Sequence, residues 1–164
     1  MTDQVAPSPS SSQPARSLAF SDSREILAEV DRLLESGYER SGNWSLGQIC
    51  HHLMEVLIGS MEGFPAFSGG GDDPERARRV ALGRRMILDR GEMPRGVRLP
   101  DAFAPRADLD DRAEAEALRG AWRVYHQHAE PLADHPLLGP LTRDEWLRFH
   151  CVHSAHHLGF LVNK

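Results

Sequence analysis

Cysteine is scarce in this chain. Cys50 and Cys151 are its only two, too few for the disulfide framework of a small secreted domain and enough for one bridge at most. Long apolar runs are missing as well. None approaches the roughly 20 residues that a membrane span needs, so no membrane partner is expected. The opening stretch, MTDQVAPSPSSSQPARS, has neither a basic nor an apolar segment of the secretory kind, and a cytoplasmic address with reduced thiols is the expectation. Positive charge is not in excess: the net charge is −5, which argues against general nucleic-acid binding. Strand-like alternation and internal repeats are also absent. Gly69, Gly70 and Gly71 suggest a phosphate loop, but no Gly-Lys-Ser/Thr follows them and that reading is discarded.

What is present describes one helical domain. A chain of 164 residues, 40% hydrophobic and 26% charged, is long enough to bury a core and too short for a second one. Residues 1–16 are rich in Pro, Ser and Gln and read as a disordered tail; 17–164 form the domain. Helix 1 is predicted over about 22–36, opened by Asp22 with Glu25 as a capping box and closed by Gly37; its stripe is Ile26, Val30, Leu33 and Leu34. Helix 2 starts after Ser45 as N-cap, with Trp44 as a hydrophobic staple, and reaches about Ser60. Helix 3 opens at Asp73 and Pro74 and runs to about Arg90 with a thin apolar stripe, so it belongs on the outside of the core. Helix 4 spans about 111–129 with Leu118, Trp122 and Tyr125 inward. Helix 5 spans 142–161, with Thr142 and Glu145 as a capping box. The expected architecture is all-α, an antiparallel four-helix bundle with an additional peripheral helix.

Charge is unevenly spread. Residues 74–98 hold eight arginines against three acids, and 101–116 six acids against two arginines. Two solvated faces account for this; the other reading is that arginines such as Arg84, Arg85, Arg95 and Arg98 meet an anionic ligand.

The histidines of the last helix are the strongest chemical signal. At 100° per residue, Trp146, His150, His153, His157, Phe160 and Leu161 share one side. Imidazoles on an inward face are either hydrogen-bonded in the core or bound to something. His153 and His157 stand four apart, the spacing at which two imidazoles chelate one ion. On helix 2, His52 lies at the edge of the apolar stripe beside Ile49 and Val56, whereas His51 points to the far side near Glu55. A third imidazole from His52 would complete a three-histidine set with open positions, suited to zinc, nickel, iron or copper. His150 is a supporting partner or a substitute ligand, and His156 is peripheral. His126, His128 and His135 read as structural or exposed, and both cysteines as ordinary thiols turned away from the histidines.

Two segments, Asn43-Trp44-Ser45-Leu46-Gly47-Gln48 running into His51-His52-Leu53, and His153-Ser154-Ala155-His156-His157-Leu158-Gly159, resemble the signatures of the DinB superfamily. More narrowly, the chain from about Arg16 resembles the DUF1569 branch, through Leu18-Ala19-Phe20, the Met-Pro-x-Gly-x-x-Leu-Pro of residues 93–100 and the Gly-Pro-Leu-Thr-x-x-Glu-Trp of 139–146. The resemblance implies a DinB-like bundle with His52, His153 and His157 as metal ligands, and a homodimer. Some DinB relatives are transferases of low-molecular-weight thiols. The functional expectation is therefore a divalent-metal-dependent enzyme (Zn, Ni or Fe) acting on a small-molecule substrate, as a thiol S-transferase or, by a variant of the same site, a hydrolase. The alternative is a non-catalytic bundle that binds a metal or a small ligand, and the third possibility is a metal-free bundle whose histidines only hydrogen-bond.

Overall fold

A computed structural model describes residues 14–64, 74–94 and 104–164. The tail expected over 1–16 lies outside these residues up to 13, as do the glycine loop at 65–73, the Asp73 cap, and Arg95 and Arg98.

Among the described residues the elements are α1 (Ser23–Ser36), β1 (Tyr38–Arg40), α2 (Leu46–Glu62), α3 (Pro74–Arg84), α4 (Asp111–Gln127), α5 (Arg143–Leu158) and β2 (Leu161–Asn163). The fold is all-α apart from one small ribbon. The caps do what their residue types predict. Asp22 accepts from the backbone N–H groups of Arg24 and Glu25, while the Glu25 carboxylate takes the N–H of Ser21 rather than that of the cap itself. Ser45 and Gln48 form a complete capping box at α2, and Thr142 and Glu145 form another at α5.

Each of α1 and α2 lies against both α4 and α5, so α1 and α2 face each other across the core. That core is filled by Ile26, Val30 and Leu33 from α1, Leu46, Ile49, Leu53 and Leu57 from α2, Leu118, Trp122 and Tyr125 from α4, and Leu158 and Leu161 from the C-terminal segment. A fully buried side chain of this size contributes about 1.5–3 kcal/mol. A smaller cluster of Ile87, Leu138, Trp146, Phe149 and Val152 seats the peripheral helix against α5.

Three departures from expectation have physical causes. The last helix stops at Leu158, not at 161: Phe160 gives its carbonyl to the Ser41 N–H (2.8 Å) and hydroxyl (2.9 Å), and the chain turns to pair with β1. That pairing, antiparallel with Tyr38 opposite Asn163 and Arg40 opposite Leu161, is three residues long, too short for a period-2 pattern to register. Helix 3 is α-helical only to Arg84 and continues as a π-helical turn, Arg85–Asp89, which turns Ile87 into the smaller cluster.

The segment between α4 and α5 is tied down by His135. Its backbone exchanges two 2.9 Å hydrogen bonds with Gly139, and its Nδ1 accepts from the N–H groups of Leu137 and Leu138, both at 3.1 Å. Trp146 reaches back to donate to the Ala133 carbonyl at 3.1 Å.

Candidate metal centre

Two helices bring three imidazoles to one point. α2 starts at the Ser45 cap, and His52, nearly two turns past its start, enters the interior with 3% of its surface exposed. On α5, His153 and His157 are a helical turn apart on the side facing α2. Their Nε2 atoms converge: His52 to His153 is 3.1 Å and His157 to His153 is 3.0 Å. One ligand atom from each lies within 4.8 Å of the others. Ligand nitrogens about 2.0–2.1 Å from a tetrahedral zinc ion stand about 3.3–3.4 Å apart, so two of the three pairs, both through His153, are already close to coordinating separation.

Protonation supports the same use. Burial drives the His52 imidazolium down to about 4, with His51 adding a smaller push. Burial also lowers His153 and His157 well below the ordinary imidazole range, helped by the neighbouring histidines. All three are neutral at neutral pH, the state in which imidazole offers a lone pair to a metal. The His153 Nε2 meets two other ring nitrogens, yet it carries either one proton or one lone pair and cannot serve both well. A cation shared by three lone pairs resolves that conflict, so the donor set fits a divalent ion. Among the described residues no carboxylate or thiol joins the group.

Residues 12–164 match the family described as "Protein of unknown function (DUF1569)". The chain belongs to the DUF1569 family. No curated protein and no solved structure matches it.

The other histidines of this DUF1569 protein are engaged elsewhere. His51 faces α4, with Nδ1 2.9 Å from Glu114 and Nε2 3.5 Å from Glu55. The Glu114 partner is 63 residues away in sequence and could not be read from helix 2 alone. His150 is buried and does not join the trio; its ring stacks on Trp146 and packs edge-on to Trp122 and Tyr125, and its Nε2 has no hydrogen-bond partner. Burial pushes it down to about 3. His156 is half-buried against Phe160, beside His157 rather than facing the centre. His126 bonds to Ser23 at 2.8 Å and His135 caps its turn, both structural as expected.

Arg84, read as a possible anion contact, is committed to Glu145 and to the carbonyls of Leu138 and Pro140. Arg85 is exposed. Cys50 and Cys151 are free and buried.

Two aromatic rings complete the surroundings. Phe149 stacks on His153 with centroids 5.2 Å apart and a 23° interplanar angle. Trp44 stacks on His157 at 5.3 Å and 13°, and tilts against His52 at 5.2 Å. Phe149 was legible in principle, four residues before His153; the contact of Trp44 with His157 spans the whole domain and was not.

Proposed function

We propose that this DUF1569 protein is a divalent-metal-dependent enzyme of the DinB-like type, with His52, His153 and His157 as ligands, that joins a low-molecular-weight thiol through its sulfur to an electrophile. The observation that carries the metal part is the convergence of three neutral imidazoles: the Nε2 of His153 stands 3.1 Å from that of His52 and 3.0 Å from that of His157, and all three ligand atoms lie within 4.8 Å of one another. The thiol part rests on the resemblance to DinB-like transferases.

A divalent ion in that position supplies a Lewis acid that lowers the pKa of a thiol or water reaching it. The chain contributes the rest. Three neutral imidazoles leave the net charge of the ion uncancelled, which a thiolate or hydroxide can then offset. The buried surroundings keep the histidines unprotonated. Neither protein thiol competes as nucleophile, because burial pushes Cys50 up to about 12 and Cys151 up to about 11. The overall reaction joins the substrate sulfur to an electrophilic carbon while the leaving group departs and the thiol proton passes to solvent.

One observation favours the second reading, a bundle that binds metal or a small ligand without turnover. No carboxylate joins the trio among the described residues; Glu55, the nearest in sequence, is 45% exposed and turned to His51.

The test is the metal content of tag-free protein by plasma mass spectrometry, for wild type and for His52→Ala, His153→Ala and His157→Ala. About one equivalent per chain, lost in each variant, is expected. No metal in wild type after reconstitution with zinc, nickel and iron sinks the metal reading. Metal-loaded protein that conjugates none of several small thiols to an alkyl halide leaves the non-catalytic reading in its place.

A further inference from the structure

We infer that Trp44 is a positioning residue of the three-histidine centre: its indole face fixes the ring plane of His157 so that Nε2 points at the shared site. The inference rests on the metal-binding reading above.

A histidine ligand is ordinarily oriented by a carboxylate or carbonyl that accepts from its other ring nitrogen. Among the described residues none of the three ligand candidates has such an acceptor, and the Nδ1 of His153 is buried without any partner. Aromatic rings instead cover the flat faces of two of these imidazoles, where they restrain the tilt of the ring. Phe149 lies on His153 at 23°, and Trp44 lies on His157 at 13°. His157 is the least buried of the three, so its ring has the most freedom to turn and the most to gain from a stacked neighbour.

The fold holds Trp44 to the end of α5 that carries His157. Ser45, the next residue, is fixed by its reciprocal cap with Gln48. Ser41, three residues earlier, binds the Phe160 carbonyl through both its N–H and its hydroxyl. A Cβ on Gly42 would stand 3.1 Å from the Phe160 ring, so the backbone there lies directly on the end of α5. The ribbon of β1 and β2 closes the other side of this clip.

The test uses the full chain loaded with Co2+, reading the dissociation constant by chelator competition and the visible d–d spectrum, with circular dichroism to check the fold. Trp44→Leu keeps an apolar side chain without a π face, Trp44→Phe keeps a stacking face, and Trp44→Ala removes both. The Leu and Ala variants are expected to bind about 10–100-fold more weakly with an altered d–d band, while Phe stays within about threefold of wild type. If Trp44→Ala does not fold, Trp44→Leu decides. Wild-type affinity and spectrum in Trp44→Leu, or equal losses in Leu and Phe, overturn the inference while cobalt binding that is lost in His157→Ala leaves the metal reading standing. A wild type that binds no cobalt overturns both.

Discussion

Loss of water keeps each interior imidazole of this protein neutral, but the lone pairs that result have different uses. In His52, His153 and His157 they face one another; in His135 the Nδ1 lone pair takes two backbone N–H groups and holds a turn. Burial pushes His135 down to about 4 from an ordinary 6.5. Its folded pKa is depressed, so between these values the unfolded chain binds a proton that the native state refuses. Stability therefore falls as pH drops from about 6.5 towards 4 and levels off below, by about 3 kcal/mol for this residue alone. His135→Asn offers an oxygen to the same two N–H groups and does not titrate. Urea melts from pH 7 to pH 4 should lose stability less steeply in that variant; parallel curves would contradict the assignment. Buried thiols respond in the opposite sense, because their charged form is the deprotonated one. With Cys50 held up at about 12 and Cys151 at about 11, the thiolate fraction at pH 8 is below about 1%. Native protein should leave both unlabelled by iodoacetamide at that pH, and denatured protein should label both.

Among the elements, α2 has the most depending on its start. The Ser45 cap satisfies an otherwise orphaned N–H, and it stands between Trp44, which precedes the helix, and His52 in its second turn, whose rings meet at 5.2 Å. Ser45→Ala is expected to cost about 1 kcal/mol, read as a lower urea midpoint at unchanged slope. The helices of this protein were legible because their signals are local: Asp22, Ser45 and Thr142 cap where their residue types predict, and Ile26, Val30 and Leu33 repeat at helical spacing. The ligand candidates were legible for the same reason, since His153 and His157 are one turn apart and His52 borders an apolar stripe. What stayed hidden depends on distant contacts. The helix end at Leu158 is decided by Ser41, the second partner of His51 is Glu114 on α4, and Ile87 of the π-helical turn packs beside Phe149 and Val152. None of these partners is near in sequence, and a periodicity argument has no access to them.

At the scale of the whole molecule, the three histidines join parts of the chain that folding must bring together from far apart: His52 and His153 are 101 residues distant in sequence, and α2 and α5 are held to each other through them. An ion that binds this arrangement and not the unfolded chain stabilises the fold by mass action, by about 2.7 kcal/mol at a free concentration a hundred times the dissociation constant. For a domain of this size that corresponds to a rise of roughly 5–10 °C in melting temperature. The comparison to make is a thermal melt of chelator-treated protein with and without zinc, in wild type and in His157→Ala. A metal that bridges α2 and α5 raises the wild-type midpoint and leaves the variant nearly unmoved. A trio that merely hydrogen-bonds shows the same midpoint with chelator as with zinc, and a rise of equal size in both proteins would mean that the ion binds elsewhere on the surface.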